Sequence, residues 1–159
     1  MWITGKSLLI SATMRIAGVD YGTVRIGIAL ADTEVRIATP LANYTRRSDE
    51  MDAAYFRNLG NDEKIGRFIV GLPVHLDGRE SQKSRESRAF GEWLAKTTGV
   101  PVQYFDERFT TAEADELLGE THLTKKQRKA RRDQIAAQIM LTSYLESGAR
   151  GQDSPSGID

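Results

Sequence analysis

The stretch Ile16 to Leu30, I-A-G-V-D-Y-G-T-V-R-I-G-I-A-L, constrains the fold of this chain more than any other, because it sets a carboxylate, Asp20, at the end of an apolar run. Ile16, Ala17 and Val19 suit a strand covered on both faces, and Ile26, Ile28 and Leu30 alternate with Gly27, Ala29 and Ala31 as a second strand. Gly22 permits a turn with positive φ between them. The segment therefore reads as a β-hairpin with an acid at its mouth. Taken alone, Asp-x-Gly serves equally well as a turn cap. What distinguishes the two roles is whether other carboxylates converge on Asp20.

A chain of 159 residues suits one domain with a real core, and 40% hydrophobic with 28% charged residues is ordinary for a globular protein. No apolar run approaches the roughly 20 residues of a membrane span, so no membrane partner is expected. Cysteine is absent, which excludes disulfides, thiolate catalysis and cysteine-ligated zinc and fits a cytoplasmic location. Any metal must be held by oxygen or histidine. The balance of 22 basic and 22 acidic residues hides segregation: Lys125 to Arg132 carries six cations in eight residues, just after Glu113, Asp115, Glu116 and Glu120. A basic face beside carboxylates suits a polyanionic substrate cleaved at a metal site; the plainer alternative is a solvated helix face.

Along the chain, residues 1–13 read as an N-terminal extension, residues 14–147 as the domain and residues 148–159 as a disordered tail of Ser, Pro and Gly. After the hairpin, Val35 to Leu41 is expected as a third strand, with Pro40 marking an edge or strand end. Met51 to Leu59 reads as a helix capped by Ser48, with Glu50 and Asp52 favourable in its first turn. Phe68 to Leu72 reads as a buried strand closed by Pro73. A helix from about Ser81 to Thr97 stops at Gly99 and Pro101, and Val102 to Asp106 forms another strand. Thr110 or Thr111 is expected to cap a short helix through Leu118, and a last helix spans roughly Lys126 to Glu146. The implied fold is α/β, a mixed sheet whose antiparallel meander precedes parallel strands, flanked by helices. Sites in such sheets gather at the carboxyl ends of strands, where Asp20, Gly71 to Pro73 and Asp106 to Arg108 fall.

Asp133 is a third acid of interest. Ala136, Ala137, Met140, Leu141 and Tyr144 follow it at helical spacing, which puts Asp133 on their apolar face. An unpaired carboxylate there is costly, so a cation must accompany it or its pKa must rise. An ion pair with Arg25 or Arg108 would satisfy it too. Three carboxylates with no histidine or cysteine at matching spacing suit Mg²⁺ or Mn²⁺, and two such ions about 4 Å apart support phosphodiester hydrolysis.

Four blocks then carry a specific resemblance: D-Y-G-T-V-R-I-G-I-A (Asp20 to Ala29), G-L-P-V-H-L-D-G-R-E (Gly71 to Glu80), D-E-R-F-T-T-A-E-A (Asp106 to Ala114) and D-Q-I-A-A-Q-I-M-L (Asp133 to Leu141). In content and order they resemble the YqgF family, also called RuvX. The resemblance implies an RNase H-like fold with a five-stranded sheet, a cytoplasmic bacterial protein and a nuclease of pre-16S rRNA 5′-end maturation. Junction resolution on branched DNA is the alternative, and it calls for a homodimer to cut two strands. The resemblance also implies that Asp20, Glu107 and Asp133 are the metal-binding, catalytic acids. Two positions depart from the usual pattern: Val24 stands where the family has lysine, leaving Arg25 to carry a phosphate contact, and His75 stands where it has asparagine.

Arg25, Arg108, Thr110 and Thr111 flank the acids closely enough to orient a phosphate, Arg108 bidentately. Their plainer roles are a salt bridge to a neighbour of Glu107 and helix caps. His75 is a candidate donor to phosphate or ribose, and Arg79, Lys83, Arg85, Arg88 and Lys125 to Arg132 form candidate tracks for a nucleic-acid backbone. Two rival readings compete: a kinase-like or actin-like nucleotide site, which would need a second lobe and phosphate loop, and a nucleic-acid-binding assembly factor with little catalysis.

Overall fold

A computed structural model describes residues 13–34, 37–110, 124 and 132–148. Strands β1 (Arg15–Asp20), β2 (Arg25–Asp32), β3 (Thr39–Thr45), β4 (Ile65–Leu72) and β5 (Val102–Asp106) form one sheet in the order β3-β2-β1-β4-β5. β1 pairs antiparallel with β2 and β2 antiparallel with β3, whereas β1–β4 and β4–β5 are parallel. The expected α/β meander with parallel crossovers is therefore the observed architecture.

Helices α1 (Asp49–Asp62) and α2 (Gln82–Thr98) cover one face of the sheet and α3 (Arg132–Gly148) the other. Alternation along the strands explains this division. Ala17, Val19, Ile26, Ile28, Phe68 and Val70 join Phe56, Leu59, Phe90 and Leu94 in one core. Ile16, Ala29, Ala31, Ile69 and Phe105 meet Ala137, Met140, Leu141 and Leu145 in the other. Gly18, Ala29 and Ala31 are small on this second face, and a Cβ added at Gly18 would lie 2.9 Å from Leu141 Cβ, so α3 approaches the sheet closely because β1 and β2 leave it room. Tyr144 fixes the helix laterally, donating to Gln103 Oε1 at 2.8 Å and accepting from Arg67 Nη1 at 3.0 Å.

Local signals account for the element ends. Ser48 caps α1 by accepting from Met51 N at 3.1 Å. Ser81 and Ser84 form a reciprocal capping box on α2, which ends on Gly99 at φ 73°. One expectation is corrected. The third strand is not Val35 to Leu41 but Thr39–Thr45, because pairing along β2 runs from Leu30 opposite Thr39 to Arg25 opposite Thr45. Pro40 is tolerated inside it because β3 is the edge strand, and an irregularity between Ile28 and Ala29 absorbs the extra residue. Gly22 does not adopt positive φ, unlike Gly78 and Gly99. Glycine is needed there for space, since a Cβ would sit 2.5 Å from the Arg25 carbonyl oxygen. The short helix expected through Leu118 and the start of the last helix before Arg132 lie outside the described residues.

Candidate active site

Parallel pairing brings the carboxyl ends of β1, β4 and β5 to one edge of the sheet. Asp20 ends β1, one residue beyond the Val19–Val70 pair, so it lies level with Gly71 of β4. Gly71 in turn pairs with Phe105 of β5, two residues before Glu107. Glu107 folds back over this glycine: a Cβ added at Gly71 would be 2.5 Å from Glu107 Oε2 and 3.2 Å from its Cδ. The missing side chain is what lets the carboxyl of Glu107 lie against β4 on the side of Asp20.

The electrostatics follow from that placement. Burial pushes the Glu107 carboxyl up to about 7, the negative charges of Asp20 and Asp106 push in the same direction, and the Lys83 ammonium pulls it back. Two acids thus sit close enough for one to hinder ionisation of the other. A proton or a cation relieves the repulsion, and an all-oxygen donor pair suits a hard divalent ion. Among the described residues no group of three His, Cys, Asp or Glu gathers around one point. The third expected acid, Asp133, falls in the first turn of α3, and its side chain lies outside the described residues. Residues Asp20 and Glu107 therefore fit Mg²⁺ or Mn²⁺ as two ligands of a set.

Beside Asp20 opens a groove of about 450 Å³. The β1–β2 turn, Tyr21 to Arg25, forms one wall, and Gln82, Lys83 and Glu86 from the first turns of α2 form the other. Arg25 and Lys83 thus line an open channel next to the acids, the arrangement a phosphodiester backbone requires.

Arg108 is deployed differently. Its Nε donates to both oxygens of Asp106 at 3.0 and 2.9 Å, its Nη2 donates to Asp106 Oδ2, and its Nη1 donates to the carbonyl of Leu76 at 3.2 Å. Asp106 is 4% exposed, so this is a buried fork that ties the 73–80 loop to the end of β5. Of the two roles the sequence offers Arg108, the structure displays the salt bridge to a neighbour of Glu107.

Thr110 closes the 3₁₀ turn Glu107–Phe109, its Oγ1 donating to the Glu107 carbonyl at 2.9 Å, which steadies the residue that carries the carboxyl. His75 and Arg79 are exposed on the 73–80 loop, where His75 N donates to Arg79 O at 3.0 Å and Arg79 Nε to Asp77 Oδ2 at 2.7 Å. Of the candidate basic track, Arg88 pairs with Glu80. Thr111 and the cations from Lys125 to Arg131 lie outside the described residues, as does the side chain of Arg132.

With this geometry, the family model described as RuvX, Holliday junction resolvase, matches residues 14–147. The chain belongs to the RuvX family. A relative from Rhodopirellula baltica named "Putative pre-16S rRNA nuclease" is 49% identical over 136 residues, covering 86% of this chain and 79% of its own. A relative of the same name from an Anaeromyxobacter species is 41% identical, covering 84% of this chain and 97% of its own. Among solved structures, RuvC of Thermus thermophilus in complex with a Holliday junction substrate superposes with a TM-score of 0.57 at 15% identity, covering 87% of this chain and 96% of that one. At that identity the likeness speaks for the fold, which is RNase H-like.

One acid of this RuvX chain takes a different place from the one expected of it. Asp52, expected as an exposed acid favouring the start of α1, is 1% exposed and accepts hydrogen bonds from Tyr44, Arg46 and the backbone of Arg47. A usable signal existed: Asp52 precedes Phe56 by four residues and Leu59 by seven, which places it on the apolar stripe of α1.

Proposed function

We propose that this RuvX-family chain is a divalent-metal-dependent endonuclease that hydrolyses phosphodiester bonds of structured nucleic acid, with precursor 16S rRNA at its 5′ end as substrate, acting in the cytoplasm. The observation that carries this reading is the convergence of Asp20 and Glu107 across Gly71, beside a groove walled by Arg25 and Lys83. The names of the relatives support the choice of substrate.

In this reading Asp20, Glu107 and Asp133 hold the metal. Bound there, Mg²⁺ or Mn²⁺ supplies an acidified water and charge stabilisation for the leaving oxygen. With its carboxyl pushed up to about 7, Glu107 holds its proton more tightly than an ordinary glutamate and is part-ionised at neutral pH, and only the ionised form would serve as a ligand. Arg25 and Lys83 hold the phosphates on either side of the groove. Arg108 acts through position: by tying Asp106 to the Leu76 carbonyl it keeps the end of β5, and with it Glu107, in place. His75, Arg79 and Thr111 remain candidate contacts along the substrate.

Branched DNA is the second reading, favoured by the description of the family. It carries a homodimer with it, since cutting two strands symmetrically needs paired sites. The test is cleavage of a precursor 16S rRNA fragment and of a four-way DNA junction by purified protein with Mg²⁺ or Mn²⁺. Asp20→Asn is expected to lose cleavage while retaining binding. Equal activity of that variant would remove Asp20 from the chemistry, and binding without cleavage by the wild type would favour an assembly factor.

A further inference from the structure

Asp52 is a fully buried carboxylate that the proposed chemistry does not use, and its bonds lead toward the groove. Its Oδ1 accepts from Tyr44 Oη at 2.7 Å and from Arg47 N at 2.8 Å, and its Oδ2 accepts from Arg46 Nε at 3.3 Å. The opposite side of the same guanidinium, Nη1, donates to Tyr21 Oη at 2.7 Å. Arg46 also grips the β1–β2 turn through the main chain, its N–H donating to the Val24 carbonyl at 2.9 Å. Tyr21 is the residue after Asp20 and begins the groove wall, and its ring stacks on Phe90 of α2 with centroids 4.8 Å apart.

The protonation states make this a permanent link. Burial alone would raise the Asp52 carboxyl, but the bonds from Tyr44, Arg47 and Arg46 outweigh it and hold the group below its ordinary value. Tyr44 is pushed up to about 12 by its own burial and by the Asp52 carboxylate, so it stays a donor. A buried ion pair of this kind adds little net stability over a well-packed apolar pair of the same volume; what it does add is a fixed geometry. Here the geometry joins the end of β3, the start of α1 and the turn that follows Asp20.

We propose that Asp52 and Arg46 are positioning residues for the candidate site: the carboxylate of Asp52 fixes the guanidinium of Arg46, which fixes Tyr21 and Val24 and so holds the wall formed by Tyr21 to Arg25 beside Asp20. The functional half of this proposal rests on the nuclease reading above; the mechanical half does not.

Two variants of the full chain test it. Tyr21→Phe keeps the ring and its stacking on Phe90 but removes the oxygen that accepts from Arg46. Arg46→Lys keeps a cation beside Asp52 but lacks the second nitrogen that reaches Tyr21. Hydrogen exchange of the amides in residues 21–25 is expected to speed up about tenfold in both, the scale of losing one hydrogen bond to a charged group, with β4 exchange and thermal midpoint nearly unchanged. In the same variants kcat/KM for cleavage is expected to fall about tenfold, while Glu107→Gln, which leaves the brace intact, keeps wild-type exchange in the turn. Unchanged exchange in residues 21–25 would overturn the brace. Faster exchange with unchanged kcat/KM would confine it to the fold and overturn its role at the site. A wild type that cleaves no substrate would instead remove the nuclease reading, and with it the functional half, while the exchange data still judge the mechanical half.

Discussion

Gly71 matters for what it lacks. The Glu107 carboxyl occupies the space where any other residue would put a Cβ, so Gly71→Ala must displace that carboxyl or strain β4. The displaced group is the far end of a flexible side chain, and the cheaper response is for Glu107 to turn away. Metal-dependent cleavage is therefore expected to fall on the order of 10²-fold, the scale for a misplaced reacting group, while the thermal midpoint moves little. Steady-state kinetics beside a melting curve checks this; unchanged cleavage would show that the placement of Glu107 is immaterial. At this scale the sequence was informative about types and less so about surroundings. The placement of Asp20 and Glu107 at neighbouring strand ends was readable because an acid closing an apolar strand is conspicuous. Asp52 was missed because a carboxylate in the first turn of a helix has a ready explanation in the helix dipole, although the spacing that turned attention inward at Asp133 applies equally to Asp52, Phe56 and Leu59.

Among elements, α2 carries one wall of the groove, and its seat on β5 depends on Gly91. A Cβ there would fall 2.5 Å from Tyr104 Oη and 2.6 Å from its Cε1. That ring cannot easily move, because its hydroxyl donates to Arg88 O at 3.0 Å and the Arg88 guanidinium sits over its face. Gly91→Ala is expected to cost about 1–3 kcal/mol, overpacking exceeding the gain in helix propensity. Gly60→Ala in α1 is the counter-example: only Val100 Cγ2 at 3.9 Å would face the new methyl. That change should stabilise by roughly 0.5–1 kcal/mol. Urea unfolding of the two variants reads both signs, and a shift in the same direction for both would contradict the packing argument. Element order and caps were legible because capping serines, Gly99 and alternating strands act locally. The position of β3 was not: β-branched Val35 and Ile37 suggested an early strand, whereas the register against β2 is a long-range choice. Ile37 is 61% exposed.

For the molecule as a whole, the raised Glu107 carboxyl costs stability at neutral pH, which the proposed cation would restore. Glu107 has an ordinary value of 4.5 and is raised to about 7, so the folded chain binds its proton more tightly than the unfolded chain does. The stability this contributes is fully present below about pH 4.5 and is lost as pH rises through 7. In metal-free protein the loss should amount to roughly 2 kcal/mol, allowing for partial solvent exposure. It should be absent in Glu107→Gln. Added Mn²⁺ should raise the thermal midpoint more at pH 8 than at pH 5, because only the deprotonated carboxyl is a ligand. Melting curves over that range check both statements; a Glu107→Gln profile identical to wild type would contradict them. Overall topology was open to sequence reasoning because the element order, a meander of strands followed by alternating helices and strands, leaves few sheets to choose from. The choice of polymer was not, since the phosphate contacts proposed for Arg25 and Lys83 would be common to RNA and DNA.

The central claim is that Asp20 and Glu107 act together on a metal to cut nucleic acid. Its most direct test is Mn²⁺-dependent cleavage of precursor 16S rRNA by the wild type, Asp20→Asn, Glu107→Gln and the double variant, with folding checked by circular dichroism. The account predicts that each single change removes nearly all cleavage and that the double variant is no worse, as groups acting as a unit behave. Cleavage persisting at wild-type rates in either single variant would contradict it.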